Sequence, residues 1–463
     1  MTVRSVAVLD VGKTNVKLMV FSAGGAVEAE ASMPNRVLPG PPYPHADADA
    51  VWRFAVDRLK AAARLPVDAV VVTTHGAAAA VVDTRRGGDG LALPVIDYEF
   101  DGPDAIEADY APIRPPFAET FSPPAAHGLT VGRQLAYQKW RFPEAFGRAD
   151  AILTYPQYFA WRLSGVLASE VTSLACHADL WEPANGRLSR LTDALGIRAL
   201  FPPVRAPYDV LGRIRPEVAA ETGLSPETAV LCGIHDSNAS LVPHLLARRA
   251  PFAILSTGTW VIPMAVGGDP GRLDPSADML SNVDARGVPV PCARFMGGRE
   301  YAAIAGPGAP PAGPADVAGV IATGTLALPP FVEEGGAFAG RQGRLEGEPP
   351  ATPAGRAALA SLTLALESAD SLERLGADTG PVIVEGTFAG NDAFLAVLQG
   401  LLPEARITAA TTTAGTAFGA SLLARWSEPA RPAAPPDRPA PRLPLPGLAA
   451  YARRWRRAMG VED

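Results

Sequence analysis

Cysteine is nearly absent from this chain. Cys176, Cys232 and Cys292 are the only three in 463 residues, and their wide spacing supports neither a disulfide framework nor paired metal ligands. They read as small buried hydrophobes in a reducing compartment. An excess of positive charge is also missing, since 41 Lys and Arg face 48 Asp and Glu for a formal net charge of −7. No basic run is interleaved with aromatics, which argues against a nucleic-acid surface and for a small soluble substrate. Nor is there a long apolar run. The N-terminus meets Asp10 before a signal-peptide core is complete, and the most apolar internal window, 69–82, is interrupted by Thr73-Thr74-His75-Gly76. A cytoplasmic protein with no membrane contact is therefore expected. The oligomeric state stays open, a homodimer included.

What is present is core. Hydrophobic residues make up 48% of the chain, and its length predicts two domains of roughly 200 residues each. Residues 3–21 alternate as two strands around Gly12-Lys13-Thr14, and Ala26–Ser32 returns as a third, giving an antiparallel meander. Trp52–Arg64 reads as an amphipathic helix and Asp68–Thr74 as a buried strand. Gly132–Phe142, Pro156–Leu163 and Leu188–Leu195 continue as helices. Ala229–Cys232 then delivers the turn Gly233-Ile234-His235-Asp236 to a helix over Ser237–Ala247. The opening pattern recurs at Phe252–Ile262 around Ser256-Thr257-Gly258-Thr259, and again a strand, Pro381–Val384, feeds a turn and a helix over Asn391–Leu402. This weak duplication predicts an N-terminal domain at 1–246 and a C-terminal domain at 247–430, followed by a Pro-rich segment and a surface helix in 431–463. Gly306–Pro314 and 429–446 read as loops.

Gly12-Lys13-Thr14 is the end of a P-loop signature, but the signature fails twice. The glycine required five positions earlier is Ala7, and a strand follows where a helix should catch the phosphates. A hairpin with Asp10 at its entrance and Gly, Thr and Asn at its tip can still hold phosphate through turn amides and a nearby cation.

Five motifs occur in one order: Asp10–Lys17, His75-Gly76, Gly233–Ser237, Ser256–Trp260 and Thr413–Ala420. In this the chain resembles the FGGY carbohydrate kinases, within the actin, Hsp70 and hexokinase-like ATPase fold. The resemblance implies an α/β protein with two ribonuclease-H-like domains and a cleft between them. It also implies that Asp236 is the catalytic base and, with Asp10, a ligand of Mg²⁺. Gly12, Thr14, Asn15 and Lys17 would line the phosphate end of ATP, with Thr257, Gly258 and Thr259 facing the β- and γ-phosphates. Gly386, Ala389 and Asn391 match the adenosine-binding turn, although Thr387 and Phe388 stand where the family has glycines. Phe388 either stacks on adenine or is core. His75 and Gly76 would contact the sugar. Pro94–Glu99 stands where these kinases carry a proline-led strand ending in sugar-binding residues, which nominates Tyr98 and Glu99, with Asp101 behind them. Taken without the family, Asp236 is equally a helix N-cap, Lys17 a solvated strand residue and Phe295–Glu300 a surface loop with an ion pair.

The expected activity is ATP-dependent phosphorylation of a small sugar, foremost a ketose of the rhamnulose, fuculose or xylulose kind. The rivals are a polyol or aldonate kinase, an actin- or Hsp70-like conformational ATPase, and a non-catalytic sugar-binding relative. Asp10 and Asp236 argue against the last.

Overall fold

The computed structural model describes residues 3–332, 335–411, 415–428 and 436–461. Thr413 and Ala414 of the last motif, and part of the Pro-rich segment, lie outside them. The chain forms two compact units. The first comprises Met1–Arg248, Ser281–Pro289 and the described part of Ala414–Ala434, and the second holds the remainder, including the described part of Pro435–Asp463.

In the first unit, β1 (Ser5–Val11), β2 (Asn15–Ser22) and β3 (Val27–Pro34) form the antiparallel meander. The loop at Gly12 thus joins strand to strand, as the failed P-loop pattern requires. Helix α1 (Ala48–Ala62), capped by the Asp47 side chain on Ala50 N, leads to β4 (Val67–Thr74), which pairs parallel with β1. Further along come α2 (Tyr155–Ser164), β5 (Val210–Arg213), β6 (Ala229–Leu231), the two-residue β7 (Ile234–His235) and α3 (Asp236–Ala247). The sheet order is β5-β6-β4-β1-β2-β3, with β7 also paired to β4. β4 is a near-continuous apolar run because helices cover both faces of a parallel strand. The helix expected over Leu188–Leu195 is not formed. Ser189 is instead tied to the 179–180 segment by its N–H and hydroxyl, leaving a two-residue strand at Arg187–Leu188 and one turn at Leu191–Ala194.

The second unit repeats the plan. β8 (Phe252–Thr257) and β9 (Val261–Val266) make the hairpin, α4 (Gly297–Ala305) and α5 (Pro353–Arg374) pack together, and β10 (Gly380–Gly386) lies parallel to β8. Helix α6 (Asp392–Leu401), strand β11 (Ala405–Ala409) and helix α7 (Leu448–Met459) complete it. Two sequence expectations change here. Phe295–Glu300 is no surface loop, because Gly297 opens α4 and Glu300 is buried, accepting Phe331 N at 2.8 Å. α7 is no free surface helix either: Tyr451, Trp455 and Met459 are buried, and the Trp455 indole donates to Ala327 O at 3.1 Å. Its arginines do lie on the outer side. Among the described residues no helix is long and apolar enough to cross a membrane.

Glu367 on α5 sits in this core beside Glu300 and Asp370, with Oε1 unpartnered among the described residues. Burial, and then the Glu300 and Asp370 charges, push its carboxyl well above the usual range, and burial pushes Glu300 up to about 7. A group with a raised folded-state pKa stabilises less as pH rises from its unfolded value through its folded one. Glu367→Gln should therefore lose measurably less melting temperature than wild type between pH 5 and pH 8. Parallel thermal scans of wild type and variant check this.

Candidate active site

Strand pairing builds the first part of the site. Lys17 on β2 lies directly opposite Asp10 on β1, and Thr73 on β4 lies opposite it on the other side. Paired residues share a face of a sheet, so the exposed Lys17 is turned to the same side as Asp10. Burial, and then the charge of Asp236, push the Asp10 carboxyl up to about 6 against the opposing pull of Lys17. The hairpin tip is braced rather than loose. Gly12 N donates to Asn15 O at 2.9 Å, and Asn35 clamps Gly12 O and Thr14 O at 2.8 Å each. Thr14 and Asn15 are left exposed at the tip.

The second part comes from the turn after β6. Gly233 has φ +86°, and a Cβ there would stand 2.5 Å from Val72 O, so only glycine lets this turn press against β4. Asp236 is consequently the first residue of α3 and not its N-cap, a position held by His235. One carboxylate oxygen, Oδ1, accepts Ser237 N at 2.6 Å and lies 3.1 Å from His235 Nε2. Among the described residues Oδ2 makes no hydrogen bond. A carboxylate at a helix N-terminus is stabilised by the helix dipole.

His235 is the hub that sequence reasoning passed over, though it adjoins Asp236. Its Nδ1 lies 2.6 Å from Asn238 Oδ1, and the Asn238 amide donates to Val283 O. Its backbone N–H meets Thr172 Oγ1, which in turn donates to the buried Glu170 at 2.5 Å. Burial opposes charge on the ring, but the neighbouring Cys176 sulfur, Asp236 and Asn238 outweigh it and hold His235 up at about 10. Burial likewise pushes Glu170 up to about 7, against its bonds to Thr172 and Ser173. Cys176, 3.7 Å from His235 Nε2, is a free buried thiol as expected but not an isolated one. Gly76 admits His235, since a Cβ at 76 would stand 2.7 Å from Nε2.

The sugar-side candidates also gather here. His75 Nδ1 donates to Gly76 O at 2.8 Å, and burial holds its pKa below the usual value, leaving a neutral ring with Nε2 as acceptor. That ring packs against Tyr98 and Tyr155, each with centroids 5.5 Å away. The strand expected at Pro94–Glu99 ends earlier, at Leu91–Leu93, and residues 97–100 form a turn closed by Phe100 N on Asp97 O. Lys13 reaches this turn. Its ammonium pairs with Asp97, lies 3.4 Å from Glu99 and sits 4.4 Å from the Tyr98 ring centre. Lys13 and Asp97 were not among the sequence candidates, although Lys13 stands inside the hairpin motif. Asp101 is exposed beyond the turn.

In the second unit the expected nucleotide residues are mostly engaged in structure. The Thr257 hydroxyl donates to Glu385 O and accepts Phe388 N at 2.9 Å, so it is tied into the β8–β10 connection and is not free for a phosphate. Gly386, at φ +83°, brings its backbone against Thr257, where a Cβ would lie 1.9 Å from the Thr257 oxygen. Asn391 caps α6 through Phe394 N at 3.0 Å and donates to Ser361. Ala389 is half-buried, its carbonyl accepting from Arg438 at 3.3 Å. Gly258 and the exposed Thr259 form the hairpin tip, with Gly258 N on Trp260 O at 2.9 Å. Phe388 is core: it is 6% exposed and its ring meets Tyr301 and Phe394 with centroids 5.0 and 5.9 Å away.

Two family descriptions match the chain, the FGGY family of carbohydrate kinases, N-terminal domain, over 127–243, and carbohydrate kinase FGGY, C-terminal domain, over 249–432. A solved carbohydrate kinase from Novosphingobium aromaticivorans is 34% identical with a TM-score of 0.89, each chain covered to 99%. The chain belongs to the FGGY family of carbohydrate kinases. Its two units are the ribonuclease-H-like domains of that fold. The L-fuculokinase of Escherichia coli (strain K12) is 26% identical over 268 residues, and that match spans only 56% of either chain. A gluconate kinase from Lactobacillus acidophilus, 17% identical with a TM-score of 0.79, shares the fold over 99% of this chain and 97% of its own.

The packing of Phe388 gives a direct expectation. Phe388→Ala should lower stability by about 3–5 kcal/mol, the usual cost of emptying an aromatic site in a core. Nucleotide affinity, measured by calorimetry below the variant's melting temperature, should stay within threefold of wild type.

Proposed function

We propose that this FGGY protein transfers the γ-phosphoryl group of ATP to a hydroxyl of a small sugar, foremost a ketose such as a ketopentose or a 6-deoxyketohexose of the rhamnulose or fuculose kind. The observation that carries the reading is the state of Asp236: Oδ1 is pinned by His235 and Ser237 while, among the described residues, Oδ2 makes no hydrogen bond. Oδ2 takes the proton of the sugar hydroxyl as its oxygen bonds to the γ-phosphorus and the bond to the ADP oxygen breaks. Positioning and charge neutralisation supply most of the rate, and the base a further part.

The residues fit a magnesium ion. Asp10 and Asp236 lie close enough for the charge of one to raise the pKa of the other, a repulsion that a hard cation relieves. When bound, magnesium neutralises charge on the transferring phosphates. Asp10 and Asp236 would hold it, and Lys17 with the exposed hairpin tip, Thr14 and Asn15, would face the phosphate end; within the second unit, Thr259 and the Gly258 turn are that unit's own phosphate candidates. His75, Gly76, Tyr98 and Glu99 would meet the sugar, the neutral His75 Nε2 accepting from a hydroxyl.

A polyol or aldonate kinase is the second reading, supported by the gluconate kinase that shares the fold. A coupled ADP-release screen over ketopentoses, 6-deoxyketohexoses, polyols and aldonates tests the proposal. Release should be stimulated most by a ketose, and strong turnover indifferent to every sugar would indicate a conformational ATPase instead.

Asp236→Asn keeps size and the helix-start geometry but removes the proton acceptor. Its kcat should fall by ~10²–10⁴-fold, with sugar and ATP binding retained by calorimetry and a single cooperative melting transition, lowered by the loss of the His235 partner. Near wild-type turnover would move the base elsewhere.

A further inference from the structure

Lys13 is a lysine already in use. Its ammonium pairs with Asp97, has Glu99 at 3.4 Å and rests over the Tyr98 ring, so one cation faces two carboxylates. The Asp97 side chain is only 11% exposed, and drawing Lys13 away would leave a largely buried carboxylate unpaired, which is costly. The turn that carries these groups is fixed by Asp97 N on Pro44 O, Phe100 N on Asp97 O and Gly128 N on Tyr98 O, each 3.0 Å. The buried Asp97 carboxylate is therefore held beside Lys13, while Glu99, whose side chain is 67% exposed, adds its charge from the solvent side. The charge of Asp236 reaches both Tyr98 and His75, which places the base carboxylate on the same patch, and His75 is neutral there. The patch therefore carries more negative charge than positive, and its hydrogen-bonding groups suit hydroxyls.

We infer that Asp97 and Glu99 are specificity-determining residues that admit neutral sugars and reject carboxylate-bearing ones, by occupying the cation, Lys13, that would otherwise bind a sugar acid. The inference rests on the sugar-kinase reading and narrows it to neutral acceptors. A carboxylate entering here meets the charges of Asp97 and Glu99 while Lys13, the cation that the described residues place at this turn, is already paired with them, and like-charge juxtapositions are disfavoured. Hydroxyls of a ketose instead donate to Glu99, Asp97 and His75 Nε2 and accept from Lys13.

The test compares a ketopentose with D-gluconate on wild type, Asp97→Asn/Glu99→Gln, and the same double variant with Lys13→Met. Both calorimetric binding and acceptor-stimulated ADP release are measured. Wild type should favour the ketose by ~100-fold or more in kcat/KM. The double variant keeps side-chain size and the turn while freeing the ammonium. It should narrow that preference at least tenfold, chiefly through the gluconate KM, and adding Lys13→Met should remove the gain. Wild type binding gluconate as well as the ketose, or a double variant with unchanged gluconate binding, overturns the inference. If acceptors bind in the expected order but none raises ADP release, the selection stands and the kinase reading falls. Melting curves of all three proteins confirm folding.

Discussion

The site depends on how closely backbone can approach backbone at the end of β4. Gly233 lets the turn before α3 settle against Val72 O, and Gly76 lets His235 fill the space beside β4's exit. On the far side of α3, Gly419 permits the helix Gly415–Leu423 to press within reach of Ala239 O, where a Cβ would stand only 1.9 Å away. Between these contacts α3 has no freedom to slide, and its first residue, Asp236, is fixed in relation to Asp10. A side chain at any of the three positions would have to displace packed backbone or the His235 ring.

That placement creates an electrostatic problem that the neighbouring residues divide among themselves. Burial first, and then repulsion from Asp236, raise Asp10 to about 6. Lys17 draws it back from the strand opposite, while His235 supplies a positive partner to Asp236 and is oriented by Asn238. Lys13 belongs to a separate balance at the turn 97–100, with Asp97 and Glu99. Two cations thus flank the carboxylate pair, and the third is committed to the turn at 97–99.

Much of this was legible in the sequence because it is written in local pattern. The meander, the strand 67–74, the turn before Asp236 and the repeated hairpin at Thr257 all follow from alternation and glycine placement. Other features were not, because they depend on contacts distant in sequence. Nothing local distinguishes the Thr257 hydroxyl as a tie to a turn 128 residues away, or Phe388 as a ring packed on Tyr301. Likewise Lys13 gains its meaning only from Asp97, 84 residues later. Without the family Asp236 read equally as a cap, because Asp favours caps, yet the cap position falls one residue earlier, on His235. The helix 448–459 read as surface from its arginines, while its opposite stripe of Leu448, Tyr451, Trp455 and Met459 is what buries it.

The central claim is that phosphate leaves ATP for a sugar and not for water. The most direct measurement is phosphorus NMR of wild type with ATP, magnesium and a ketopentose or 6-deoxyketohexose, following every phosphorus species in one sample. The account predicts a sugar phosphate monoester growing one for one with ADP, with negligible inorganic phosphate. Inorganic phosphate rising in step with ADP, equally with and without sugar, would contradict it.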